Sequence, residues 1–590
     1  MASEDTQSRP GDWDSILTLV LFVLSNVSVI TPFRIPIPRI ISSRGWNILT
    51  VLRIAPPNAD RLKRRYHVPV NFVTMPLVSV LILLAAGAID GTTVRRGIVG
   101  ADGVKPLDIM ALFISLAYIS VSLDLTGLLR FSAFWVARKG GHAGRKLFLY
   151  LYVFFLVCAV IFGNDPVILC GTPFLAYLTR VSGITPPTAW IYTQFAAANM
   201  ASVVLITSNP TNLVVSGAFS ISFISYTAHV ILPFLASSIL TFPLLLYVLF
   251  RSPTLIPPSL NLPFSDDNND NNEGEAERQN HDVLVDQQGA IFGSVLFVVT
   301  LAVLAGTSTV GVPVWAVTVP AAVIMLGRDV WHDWTYRRSM QRQGVRIGEG
   351  EEEHELPNRS SPTSPTPPVD DPQRTKTPSI TINSERPRRH HYLSTWFTSH
   401  LTTLTTQYPT VTTVLKRLPT SVLPFAFLMF ILIQGLSTKG WIEVFAGWWD
   451  VWVRKTGTLG AVGGMGFVAC VLCNFCGTNI GATILLARVL QHWISTSSLS
   501  PTSPSSSPSP SHQRTIDGSI YALALGSNFG AFTLTIPASL AGLLWRQILK
   551  QKGIHIRQRQ FALLNLPISG VAMGVACLVL VGEVWVLHRG

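Results

Sequence analysis

A chain of 590 residues that is 48% hydrophobic and only 13% charged is not an ordinary soluble domain, and its mean hydropathy of +0.40 points to a protein housed largely in lipid. The formal net charge of +12 would suit a nucleic-acid binder, but the Lys and Arg residues sit in loops between apolar runs, where they orient a membrane protein instead. Six cysteines, all inside apolar segments, make no disulfide framework and read as small buried hydrophobes.

In chain order, the first apolar run is Ser15–Thr31. It follows an acidic stretch (Glu4, Asp5, Asp12, Asp14) with no basic leader, so no cleavable signal is expected. It is short for a span, which takes about 17–25 residues. Pro69–Ile89 and Leu107–Leu129 read as further spans. Residues 146–180 are about twice a half-helix and split at a polar tip, Asn164–Asp165, within FGNDPVILCGTP; they read as a re-entrant hairpin. Residues 188–219 form an apolar segment broken at TSNPTN (Thr207 to Asn212), and His229–Phe250 closes the first repeat, residues 1–250.

An acidic, Asn-rich loop follows at 251–288, expected to be disordered. Ala290–Ser308 and Val312–Gly327 read as the first two helices of a second repeat (289–327). A disordered cytosolic insertion, 328–417, carries SSPTSPTPP and RPRRHH. The remainder of the second repeat, 418–590, opens with Pro419–Ser437. It continues with a hairpin at 456–491 containing LCNFCGTNIGAT, a Ser/Pro tract, a broken helix at 516–545 containing GSNFGAFTLT, and Pro567–Leu587. The expected fold class is an all-α polytopic membrane protein of two inverted repeats, each with five crossings and one re-entrant hairpin. Matched discontinuities in two halves are the sequence mark of a transporter's binding site.

Loop charge gives an orientation. Pro32–Val68, Arg130–Lys146 and Arg546–Leu566 are rich in Arg and Lys and fall on one side in this layout; Asp90–Pro106, Thr438–Lys455 and Ser495–Thr515 are poorer or balanced by acids. The basic side is the cytosol, which places the long loops there.

A helix that ends at membrane depth exposes unpaired backbone groups and is tolerated only where it lines a polar cavity. Asn, Ser, Thr and Gly satisfy freed backbone and offer neutral donors and oxygens to a solute. The candidate binding residues are therefore Asn164, Asp165, Thr207, Ser208, Asn209, Thr211 and Asn212 in the first half. Asn474, Thr478, Asn479, Ser527, Asn528, Gly530, Thr533 and Thr535 are their counterparts in the second. Individually each could merely repair a kinked helix. Asp165 is the proton-coupling candidate, because acids at this depth are costly and usually functional; capping the helix that starts at Pro166 is the plainer reading. Arg488 is the only basic residue that approaches mid-span. The pair Cys473 and Cys476 is a weak metal signal, and no phosphate loop or metalloprotease motif is present, so neither an enzyme nor a cofactor is expected beyond a coupling Na+ or H+.

These motifs resemble those of the ion transporter superfamily, in particular its arsenical pump membrane protein and citrate-transporter-like branch. FGNDPVILCGTP is similar to that branch's Asn-Asp hairpin tip, and SNPTNLV to its SNLVN element. LGSNFGAFTLTIPASLAGLLW resembles its TPIGSLATLLW element and covers Ser527, Asn528, Gly530, Thr535, Ser539 and Trp545, while the second hairpin departs more. The resemblance implies elevator-type carriage of a small anion or oxyacid through the bilayer, with arsenite, citrate, other dicarboxylates and sulfate among the substrates of such proteins. The expectation is a secondary active transporter in the plasma membrane or an endomembrane, coupled to an ion gradient and without a nucleic-acid partner. A passive anion channel on the same fold, or a scaffold acting through its cytosolic loop, are the alternatives. Elevator carriers are often homodimers, and no residue here argues for or against one.

Overall fold

A computed structural model describes residues 10–30, 32–36, 67–101, 105–260, 284–307, 312–342, 405–498 and 510–588. The acidic tract from 261 to 283, most of the insertion between 343 and 404, and the Ser/Pro tract from 499 to 509 lie outside the described residues, together with the expectations of disorder for them. The chain forms two compact units. The first comprises Met1–Ile37, Tyr66–Val330 and Thr410–Gly590, and the second comprises Pro38–Arg65 and Trp331–Pro409. Within the described part of the second, the Arg338 guanidinium lies 3.7 Å from the centre of the Trp334 ring.

The first half runs α1 (Trp13–Ile30), a two-stranded antiparallel ribbon of β1 (Phe33–Pro36) and β2 (His67–Val70), α2 (Thr74–Ala85), α3 (Gly91–Val99), α4 (Pro106–Leu125) and α5 (Leu128–Gly140). It continues with α6 (Gly144–Phe162), α7 (Asn164–Val181), α8 (Thr188–Ala201), α9 (Pro210–Ala218) and α10 (Phe223–Pro243). The second half runs α11 (Gln287–Thr307), α12 (Val314–Arg342), α13 (Pro409–Arg417), α14 (Val422–Thr438), α15 (Trp441–Phe475) and α16 (Asn479–Ser498). It closes with α17 (Pro510–Phe529), α18 (Leu540–Gln551) and α19 (Gln558–Leu587). Among the described residues nine helices are long and apolar enough to cross a bilayer, as an all-α multi-pass membrane protein requires.

Four segments depart from the expected layout. The predicted span Pro69–Ile89 is a 12-residue helix, α2, which is too short to cross. It ends before Gly87, whose φ of 68° leaves helical geometry while the Ala88 N–H donates to the Leu83 carbonyl at 2.9 Å; the Asp90 carboxylate then accepts from the Thr93 N–H at 2.8 Å and starts α3. The presumed loop Arg130–Lys146 contains α5, which buries Leu129, Ala133 and Ala137 at four-residue spacing and leaves Trp135 exposed. The presumed loop Thr438–Lys455 is the first part of α15, burying Ile442, Ala446 and Trp449 while Trp448 and Trp452 stay exposed. The insertion expected at 328–417 is helical at both edges, since α12 continues to Arg342 and α13 covers its end.

Helix α15 bends at Gly457, whose φ of 62° and ψ of −157° interrupt the helical run. The Trp452 indole N–H donates to the Gly460 carbonyl at 2.8 Å and ties the two limbs together. The limb after the bend and α16 form the second hairpin; α6 and α7 form the first.

The broken elements are deeply buried. Helix α8 is buried from Ala189 to Ala201, and α17 from Gly518 to Phe529. Trp545 of α18 is fully buried: it stacks on Phe195 of α8 at 4.6 Å between ring centres and meets Tyr192 edge-on at 5.3 Å and Phe561 of α19 at 5.9 Å. By contrast α10, α11 and α19 leave large apolar side chains such as Ile239, Val298 and Leu578 uncovered, as a lipid-facing surface does.

Candidate functional site

The first hairpin turns on one residue. Gly163 has a φ of 87°, and a Cβ there would lie 2.6 Å from the Ser208 carbonyl oxygen, so the hairpin tip is pressed against the break in the α8–α9 segment. Helix α7 then begins at Asn164, which is buried and donates to Asn199 Oδ1 at 3.1 Å. Asp165 therefore lies inside the first turn and makes no capping bond, contrary to the capping role read from its place before Pro166. Its carboxylate is half-buried and lines a cavity; among the described residues it has no hydrogen-bond partner and no cation.

After α8 ends at Ala201 the chain passes through a single 3-10 turn at Ile206–Ser208 and resumes as α-helix at Pro210, with Asn209 as the cap accepting from the Thr211 N–H at 3.1 Å. Proline at the first helical position needs no partner for a missing donor, so Asn-Pro starts α9 cleanly. Asn212 donates to the freed carbonyls of Ser202 and Leu205 at 2.7 and 2.8 Å, repairing the break. Ser208 donates to the Val160 carbonyl at 2.6 Å, and the buried Thr207 hydroxyl has no partner among the described residues.

The second half uses the same residue types differently. Asn474, near the end of α15, donates to the Cys470 carbonyl and to Thr533 Oγ1, and its Oδ1 accepts from the Leu534 and Thr535 N–H groups at 3.2 and 2.8 Å. One side chain thus satisfies the backbone freed between α17 and α18. Gly530 lies against Cys470 and Cys473 with no room for a side chain, which makes Cys473 a packing residue. Ser527 accepts from Thr483 of α16 at 2.8 Å. Thr478 is buried with an unpartnered hydroxyl among the described residues, and Asn479 begins α16.

The two breaks meet at Asn528. Its Nδ2 donates to Asn212 Oδ1 at 2.7 Å, and its Oδ1 accepts from Asn209 Nδ2 at 2.9 Å and Ser202 Oγ at 3.1 Å. All four residues are buried, so the knots of the two halves form one hydrogen-bonded junction. Asn164, Asp165, Thr207 and Ser208 border a cavity of about 710 Å³, whereas Asn474 and Thr533 border another of about 340 Å³. Neither is lined by Asn209, Asn212 or Asn528.

The larger cavity gathers helix starts. It is lined by Asn164 and Asp165 of α7, Pro210 of α9, Val422 with its cap Ser421 from α14, and Leu540 of α18. Each of these ends carries the partial positive charge of a helix start, which favours an anion, although Asn209 and Ser539 already accept one N–H at the starts of α9 and α18.

A citrate transporter family profile matches residues 12–504. The chain belongs to the citrate transporter family. Curated relatives include arsenical pump membrane proteins of Escherichia coli, 32% identical over 154 residues (26% of this chain and 35% of that protein), and of Yersinia enterocolitica, 32% identical over 143 residues (24% and 33%). The chain thus matches about a third of the length of these relatives. Among solved structures, the Alcanivorax borkumensis YdaH transporter aligns over 97% of this chain and 98% of its own, with 13% identity and a TM-score of 0.46. Neisseria gonorrhoeae MtrF aligns over 98% and 95%, with 10% identity and a TM-score of 0.43.

This citrate transporter family member also uses site residues that its motifs did not single out. Asn199 and Ser202 hold Asn164 and Asn528, and Gln194 takes the Thr172 hydroxyl at 3.1 Å while donating to the Val167 carbonyl at 3.0 Å. Polar residues inside the otherwise small and apolar run QFAAANMAS were the available signal. Arg488 is buried in α16 and donates to Gln434 of α14, and Asp124 is buried and paired with Arg417.

Proposed function

We propose that the chain is a secondary active transporter of a small anion, a di- or tricarboxylate or an oxyanion, driven by an ion gradient. The observation that carries this reading is the larger cavity. Four helix N-termini converge on it beside one unpartnered carboxylate, Asp165. Helix starts attract an anion, whereas an ionised Asp165 repels it. A proton or Na+ that neutralises Asp165 removes the repulsion, so anion and coupling ion bind together and each raises the affinity of the other. The family membership and the citrate and arsenical cargo in the relatives' names support the substrate class.

The site residues of both halves belong to this mechanism as wall and frame. Asn164, Asp165, Thr207 and Ser208 face the solute; Asn209, Thr211, Asn212, Ser527 and Asn528 hold the junction; Asn474, Thr478, Asn479, Gly530, Thr533 and Thr535 hold the second break. The order hairpin, broken helix and long final helix recurs in both halves, each time after an amphipathic stretch (α5, then the first limb of α15), and this supports two inverted repeats. In the elevator reading the hairpins and broken helices move together as one block.

The test is radiolabelled uptake of citrate, succinate, sulfate and arsenite into proteoliposomes under imposed proton or sodium gradients. Gradient-driven accumulation of one anion is expected, and Asp165→Asn should abolish accumulation against a gradient. Accumulation that persists in Asp165→Asn removes this residue from coupling, and no uptake of any of the four by the wild-type chain overturns the substrate class.

A further inference from the structure

Three cations stand on the rim of the larger cavity: Lys416 and Arg417 at the end of α13, and Lys552 just beyond α18. All three are exposed, so the cavity reaches the surface where they stand. They come from segments far apart in sequence that converge on one opening. Arg417 is half-engaged, its guanidinium 3.3 Å from the Asp124 carboxylate. Neither Lys416 nor Lys552 has a carboxylate partner among the described residues. Arg180, at the end of α7, donates to the Lys552 carbonyl at 3.2 Å and brings a further positive charge beside the rim. Among the described residues Asp165 is the only acid lining the cavity.

We propose that Lys416, Lys552 and Arg417 form an entry site that gathers multiply charged carboxylates before they reach the helix starts, and so selects such anions over uncharged oxyacids. This inference rests on the transport reading above and sharpens its substrate class. A trianion such as citrate is drawn by clustered cations at an apolar-walled mouth, where field lines are focused. Arsenous acid is uncharged at neutral pH and gains nothing from them. The competing account is that these cations only orient the chain in the membrane; that account assigns no special role to the cavity-lining ones over their neighbours.

The experiment compares citrate and arsenite uptake in proteoliposomes at low and high ionic strength, for the full-length chain, Lys416→Gln/Lys552→Gln, Lys416→Arg/Lys552→Arg and Lys550→Gln. Lys550 is exposed on the same helix as the Lys552 rim but does not line the cavity. The double Gln variant is expected to raise the citrate KM about tenfold at low ionic strength, with the gap closing in high salt. The double Arg variant should restore it, and Lys550→Gln should leave it at the wild-type value. Overturning results are a double Gln variant with wild-type KM, a gap that persists in high salt, an equal effect from Lys550→Gln, or a wild-type chain that takes up arsenite but not citrate. Failure of the wild type to take up any of citrate, succinate, sulfate and arsenite defeats the transport reading's substrate class, and the entry site falls with it.

Discussion

Asn474 and Asn164 stand at the tips of matching hairpins, yet they are held in different ways. Asn474 uses both ends of its amide to close the second break, with Thr533, Leu534 and Thr535 as partners. Asn164 makes one bond, to Asn199, and its neighbours Asp165 and Thr207 carry polar atoms with no partner among the described residues. The first tip opens on about 710 Å³ and the second on about half that volume. Similar residue types therefore do two jobs: around the second tip Asn474 mainly satisfies backbone, and around the first Asp165 and Thr207 keep polar atoms without a partner among the described residues. Asn528 belongs to both, because it ties the knots together.

The comparison can be broken most forcefully at that tie. Asn528→Ala leaves the amides of Asn209 and Asn212 buried without their partner, and a loss of about 4 kcal/mol is expected from such orphaned groups. Thermal denaturation in detergent reads it; a wild-type midpoint would mean that the two knots are independent. Asn474→Ala should cost about 3 kcal/mol by the same assay, since it frees backbone donors of the second break. If it proved milder than Asn164→Ala, the contrast between a closed and an open lobe would be reversed. Gly163→Ala places a methyl against the Ser208 carbonyl in left-handed geometry, with an expected cost of about 2 kcal/mol. The smallest effect belongs to Asp165→Asn, which breaks no hydrogen bond and should shift stability by less than about 0.5 kcal/mol while gradient-driven uptake is lost. A large destabilisation there would make Asp165 a structural residue and erase the difference between the lobes.

The breaks were legible in the sequence because Asn, Pro, Ser and Gly inside apolar runs have few uses at membrane depth. Asn-Pro at Asn209–Pro210 and the Gly-Asn-Asp tip at Gly163–Asp165 both mark helix starts where the chain resumes. What escaped is the pairing across the halves: nothing in the local pattern says that Asn528 meets Asn209 and Asn212, since that depends on how α8 and α17 pack. The amphipathic helices α5 and the first limb of α15 read as loops because their charges lower mean hydropathy, although the four-residue spacing of Leu129, Ala133 and Ala137 is present. The span drawn over Pro69–Ile89 ignored Asp90-Gly91-Thr92-Thr93, a helix-start signal placed directly after it.

The elbow at Gly457 has a further consequence. Its dihedral angles suit a residue without a Cβ, and the Trp452 indole latches the two limbs across it. The tryptophan-rich limb from Trp441 to Thr456 is thereby hydrogen-bonded to the hairpin arm that follows the bend. A movement of that arm past the limb would have to break the indole hydrogen bond or carry the tryptophans along.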